Sequence, residues 1–138
     1  MKKPMILIGI MLSMALLAGC AAPAAVFSGT GSRQTAVTVR IDAGGNNVLY
    51  DGDVTIVDNS PTAYMALKAA AGEKGLPLEI NAPDTPDIMF LNGIDGISSE
   101  DPTFWTLQVN GEKAEFGFGI EPLNNGDIVE FIYQNRNI

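Results

Sequence analysis

The 138-residue chain is long enough for one ordinary domain and too short for two. All 16 acidic residues lie beyond Cys20, while two of the eight basic ones, Lys2 and Lys3, precede it. The balance, −8 for the whole chain and −10 for the part beyond Cys20, excludes a sequence-independent nucleic-acid binder, which needs a positive face, and argues against electrostatic docking on anionic lipid.

At the N-terminus, Lys2 and Lys3 precede an uncharged apolar stretch, Pro4 to Leu17, that is too short for a comfortable bilayer span. Leu17-Ala18-Gly19-Cys20 closes it. This segment resembles the lipobox of bacterial lipoproteins: a large apolar residue, two small ones that admit a peptidase, and a cysteine. The resemblance implies that residues 1–19 are a signal peptide and that Cys20 becomes a lipidated first residue. Two or more acyl chains would then anchor the protein in the cell membrane on its extracytoplasmic face. The alternatives are an ordinary secretory signal cleaved near Ala22 or Ala25, or an uncleaved anchor. With the only thiol consumed as a thioether, no disulfide and no catalytic cysteine remain. Residues 20–34 are small, polar and without period, which predicts a flexible tether spanning roughly 20 Å.

The domain is predicted over residues 35–138. Val37, Val39 and Ile41 alternate with polar residues, as in a half-buried strand, and a second strand is expected from Val48 to Val57 with a bulge or turn at Asp51-Gly52. One helix follows, with Ser60 as N-cap, Pro61 in its first turn, an apolar stripe of Ala63, Leu67, Ala70 and Ala71, and a stop at Gly75. Further strands are expected at Leu78–Asn81, Ile88–Leu91, Phe104–Val109 and Ile128–Tyr133. Asn92-Gly93, Asn110-Gly111 and Asn125-Gly126 are hairpin-type dipeptides. Two strands, a helix and returning strands describe an α+β domain in which one helix packs on a mixed sheet of several short strands. An all-β sandwich with one incidental helix is the alternative.

Three segments carry a family resemblance. Ser60 to Ala71 (SPTAYMALKAAA), Phe104 to Gly111 (FWTLQVNG) and Pro122 to Phe131 (PLNNGDIVEF) resemble, in order, the helix, the aromatic-Trp strand with its Asn-Gly turn, and the closing strand of the transcobalamin-like C-terminal domain family. That resemblance implies a β-grasp-like fold. In the animal cobalamin carriers this domain closes over one face of the corrin and a separate helical barrel holds the other; nothing in this chain corresponds to the barrel.

Chemistry is narrowly constrained. No histidine can activate a serine or threonine, and the only lysines within the domain are Lys68, Lys74 and Lys113. Paired carboxylates could in principle cleave glycosides, but a small turn-rich domain offers little cleft for them. Asp95, Glu100 and Asp101, or Asp51 with Asp53, offer hard oxygen ligands, yet their spacing lacks the EF-hand pattern and solvated loops account for them. The chain is therefore read as a binding protein, not an enzyme, with no required cofactor and no metal site.

Phe116-Gly117-Phe118-Gly119-Ile120 is the most suggestive stretch, because glycines beside aromatics bare backbone and ring faces to a flat ligand. The alternative is a strand whose Phe116, Phe118 and Ile120 all enter the core. In the resembling carriers the loop after the Asn-Gly turn faces the corrin. The resemblance thus implies a site of Phe104, Trp105, Phe116, Gly117, Phe118 and Gly119, with Tyr64 and Met89 as lesser candidates whose alternative role is packing. The expected function is a lipid-anchored binding module that captures a corrinoid, cobalamin-like or other flat small molecule for a transporter partner. The rival expectation is an interaction or adhesion module whose sheet edge or aromatic loop docks a surface protein.

Overall fold

A computed structural model describes residues 25–135. The strands are β1 (Ala25–Ser28), β2 (Gln34–Asp42), β3 (Val48–Val57), β4 (Leu78–Asn81), β5 (Phe90–Ile94), β6 (Ile97–Ser98), β7 (Thr103–Val109), β8 (Glu112–Lys113) and β9 (Ile128–Asn135); the helix α1 spans Ala63–Lys74. Six strands form one sheet in the order β1-β3-β2-β9-β7-β8, and β4-β5-β6 form a smaller one. The large sheet is mixed: β1 runs parallel to β3 and β2 parallel to β9, while the other pairs are antiparallel. One helix on a mixed sheet is the α+β arrangement expected from the sequence.

The period-two pattern of β2 sends Val37, Val39 and Ile41 to one face, joined there by Val54 and Ile56 of β3 and by Val129 and Phe131 of β9. Helix α1 covers this face with Ala63, Ala66, Leu67 and Ala70, and short alanine side chains let its backbone approach the sheet closely. Gly75 ends the helix in the left-handed conformation (φ 66°), as its position predicts. Tyr50 of β3 donates its hydroxyl to Glu73 at 2.6 Å and so ties the sheet to the last turn of the helix.

The expected tether over residues 20–34 is shorter than predicted. From Ala25 the chain is folded: Ala25–Ser28 pair with Val54–Val57, Ala25 and Phe27 turn toward the core, and Asp58 binds the Thr30 N–H at 2.9 Å. Residues 1–24, with Cys20 and its predicted lipidation, lie outside the described residues, as do residues 136–138.

The helix starts two residues later than expected. Thr62, not Ser60, is the N-cap, and it makes no side-chain capping bond. Carbonyls from a distant loop replace that cap: Ala63 N–H donates to Glu121 O at 3.0 Å and Tyr64 N–H to Phe118 O at 2.9 Å. Ser60 instead donates its N–H to Asp58. Asp51-Gly52 is neither bulge nor turn, since it pairs regularly with Arg40 and Val39, and the register shift falls at Ile41/Asp42. Gly52 makes room for Tyr50, whose hydroxyl would lie 3.3 Å from a Cβ. Asn92-Gly93 lies inside β5, and the hairpin to β6 turns at Asp95-Gly96 (φ 54° and 79°). The strand expected at Ile88–Leu91 is displaced to Phe90–Ile94, because Pro86–Ile88 form a single 3-10 turn.

Candidate functional site

The site begins at the β7–β8 hairpin. Asn110-Gly111 (φ 54° and 82°) makes its tight turn, after which Val109 pairs with Glu112 and Gln108 with Lys113. Ala114 N–H still reaches Leu107 O at 3.0 Å. Continued in that register, Phe116 would lie opposite Trp105 and donate to its carbonyl. It does not. The Phe116 N–H donates instead to the carboxylate of Glu121 at 2.9 Å, and the chain leaves β7 for a compact loop. Glu121 is 9% exposed, and its N–H bonds Gly117 O at 2.9 Å, so the loop closes on itself.

The divergence opens a cleft of about 550 Å³ between β7, the end of β9, the 113–118 segment and the Met89–Leu91 approach to β5. This lies within the usual range for small-molecule sites. Phe104, Trp105, Phe116, Gly117 and Phe118 all line it, as does Met89. Sequence reasoning missed Phe90, Leu91, Thr106, Leu107, Gln108, Lys113, Ala114, Phe131, Gln134 and Asn135. Only the β7 residues among them could have been found, by extending the Phe104-Trp105 pair along its strand.

The aromatic residues divide by role. Trp105 is 7% exposed, faces the core with Leu107 and Val109, donates its indole N–H to Ile97 O at 2.7 Å, and packs on Tyr133 with ring centroids 5.2 Å apart. Phe118 is 6% exposed and sits between Tyr64 (5.8 Å, edge-on) and Phe131 (6.5 Å, edge-on). Phe116 and Phe90 are 51% and 45% exposed and form the open lip.

Tyr64 and Gly119 are not brought to the cleft wall. Tyr64 supports Phe118 from the helix side. Gly119 is a packing residue: a Cβ there would collide with the Pro86 carbonyl and lie 3.1 Å from Met89 Cβ. Phe116–Ile120 is also not a strand, for Phe118 is buried while Phe116 and Ile120 are exposed. The loop thus fits neither a flat aromatic platform nor a core strand: one ring is anchored and the other is presented.

Among the described residues the cleft holds one charged side chain, Lys113, and no carboxylate. The acidic residues lie elsewhere, and no group of three His, Cys, Asp or Glu side chains among the described residues could hold a metal ion. Among the described residues two titrating groups are displaced from their ordinary values, both remote from the cleft. Burial, then the hydrogen bond and charge of Glu73, raise the Tyr50 hydroxyl well above the usual tyrosine range. Backbone N–H donors of Ser60 and Thr30 lower the Asp58 carboxyl.

No curated protein sequence matches the chain. Among solved structures, haptocorrin in complex with Cbi is similar at a TM-score of 0.58 and 20% identity, over 78% of this chain and 26% of the haptocorrin chain. This chain therefore spans about a quarter of that relative. A protein of Ruminococcus gnavus ATCC 29149, provisionally designated metal-binding, is similar at a TM-score of 0.52 and 16% identity, over 73% of this chain and 97% of its own. At these identities the likeness is one of fold. It agrees with the transcobalamin-like resemblance of the helix, the aromatic strand and the closing strand. The model of a family described as a domain of unknown function, DUF4430, matches residues 61–135, which include every residue lining the cleft. That match covers more than half of the chain, and the protein belongs to the DUF4430 family.

Proposed function

We propose that this protein is a lipid-anchored module on the extracytoplasmic face of the cell membrane that binds a ligand in the β7–β8 cleft without altering it chemically. The observation that carries the reading is the cleft itself: a preformed, aromatic-lined recess made where the hairpin's return strand leaves β7. The ligand is a compact amphipathic molecule with a flat apolar face that lies against Phe116, Phe90 and the edge of Trp105. Corrinoids are the first class to test, because the haptocorrin relative is complexed with Cbi and shares the fold. The anchor is Cys20, and a transporter of the same membrane would receive the ligand.

The test is a thermal-shift screen of the detergent-solubilised protein against corrinoids, haem and other flat cofactors, repeated on Phe116→Ala. A ligand at about 100 times its Kd adds about 2.7 kcal/mol of stability, a rise in Tm of roughly 10 °C for a domain of this size. A shift that Phe116→Ala abolishes supports the reading; a shift indifferent to Phe116 places the ligand elsewhere. In parallel, Cys20→Ser must release the protein from the membrane or leave it unprocessed. If the mutant remains anchored at the same apparent mass, the lipoprotein assignment fails.

A second reading, a protein-interaction module, is favoured by one observation. The wall of the cleft is a strand edge whose main-chain groups are incompletely paired.

A further inference from the structure

Along β7 the main-chain groups alternate in direction. Asn110 N–H bonds Ile128 O, so the even-numbered residues turn toward β9 and the odd-numbered ones toward the outer edge. On that edge Val109 pairs with Glu112, Leu107 O accepts from Ala114, and Thr103 exchanges two bonds with Glu100. Trp105 N–H has only a 3.5 Å approach to Ser99 Oγ. Among the described residues nothing engages the Trp105 carbonyl, whose register partner, the Phe116 N–H, is held by Glu121, and nothing engages the Leu107 N–H, whose register partner, the Ala114 carbonyl, does not return the bond that Ala114 N–H makes to Leu107 O. An acceptor and a donor that flank residue 106, roughly 4–5 Å apart along the strand, stand on the wall of an apolar cleft whose one charged side chain among the described residues is the Lys113 ammonium.

We propose that the cleft binds an extended acidic peptide by strand addition to the open edge of β7 between Trp105 and Leu107. The occupant is set by complementarity. A peptide in β conformation offers N–H and C=O groups at the spacing of the unpaired pair. Its apolar side chains alternate onto the aromatic lip at Phe90 and Phe116. A carboxylate meets Lys113, in a protein whose remaining surface is strongly acidic and repels such a group elsewhere. A flat molecule stacked on the lip would leave both edge groups unpaired. The inference rests on the reading of this cleft as the binding site and names the partner chemistry of the interaction-module alternative.

The test uses the full-length protein in detergent micelles and an acetylated, amidated pentapeptide of alternating threonine and valine with a central aspartate. The expected result is at least a tenfold slowing of hydrogen exchange at the Leu107 amide when peptide is bound. N-methylation of the peptide nitrogen that faces the edge should abolish binding, and methylation of the next nitrogen should spare it. Lys113→Glu should weaken the aspartate peptide about tenfold more than it weakens the asparagine analogue. Binding without Leu107 protection, or with no effect of N-methylation, overturns strand addition. The fluorescent anion 1-anilinonaphthalene-8-sulfonate separates the two levels of the argument. If Phe116→Ala removes dye binding and no peptide binds, the cleft is a site and the peptide inference is wrong. If neither dye nor peptide binds in a Phe116-dependent way, both readings fall.

Discussion

Replacing Trp105 by phenylalanine would test whether the floor of the cleft is also part of the core. The substitution keeps an aromatic ring against Tyr133 but removes the indole donor, so the Ile97 carbonyl keeps its hairpin pairing with Ile94 and loses its 2.7 Å bond from the indole. The loss of one such hydrogen bond costs about 0.5–1.5 kcal/mol. Truncation to alanine also empties the space the ring fills beside Tyr133 and Leu107, raising the loss to about 3–5 kcal/mol. That is a large part of the 5–15 kcal/mol, in order of magnitude, that holds a whole domain together. Trp105→Phe should therefore fold with a lowered urea midpoint, read by far-ultraviolet circular dichroism, whereas Trp105→Ala should be unfolded or nearly so. Because the ring is 7% exposed, wild-type emission should be blue-shifted and protected from iodide. Red-shifted, quenchable emission, or a Trp105→Phe variant within about 0.5 kcal/mol of wild type, would refute this account of the residue.

Tyr50→Phe should cost about 1 kcal/mol through the lost bond to Glu73. The raised Tyr50 value means that its contribution is complete below the ordinary tyrosine range and is lost as pH rises above about 10; denaturant titrations of the variant should lack that alkaline decline. Asp58 has the opposite sign: its lowered carboxyl stabilises the fold above the usual aspartate range, and that contribution disappears as pH falls through the depressed value. Asp58→Asn should be less stable near neutrality and show a shallower acid transition. Glu121→Gln, which weakens the hold on Phe116 N–H, should lower stability modestly and speed exchange of that amide.

What could be read in advance followed local rules. Alternation in β2 and β9, the alanine-rich stripe of α1 and the Gly75 stop are properties of short windows, and they placed the elements in order. The N-cap was not local. Ser60 has the right side chain, but the Ala63 and Tyr64 amides are satisfied by carbonyls of residues 121 and 118, almost sixty positions away. Strand β1 was hidden because Val26 and Phe27 are two large residues in a run of small ones, and only pairing with β3 orders them. At the candidate site, the aromatic–glycine stretch points to a loop that lines the cleft but not to its form. Gly119 answers to the Pro86 carbonyl, a tertiary neighbour. Met89, Phe90 and Leu91 reach the cleft only because the small sheet packs beside β7.

The same loop builds the helix start and the cleft, and this decides how rigid the site is. Residues 116–123 offer the Phe118 and Glu121 carbonyls to α1, donate the Leu123 N–H to Pro61 O, and hold Phe116 away from β7 through the Glu121 carboxylate. Closing the cleft by zipping Phe116 back onto Trp105 would gain the two bonds of a hydrogen-bonded pair. It would break the charge-assisted bond to Glu121 and pull on both carbonyls that cap the helix, each bond contributing about 0.5–1.5 kcal/mol or more. The exchange is unfavourable, so the open form is the ground state and the recess exists before any ligand arrives. A partner therefore spends little binding energy on reorganising the wall, which leaves the aromatic lip and the open β7 edge free to set what is bound.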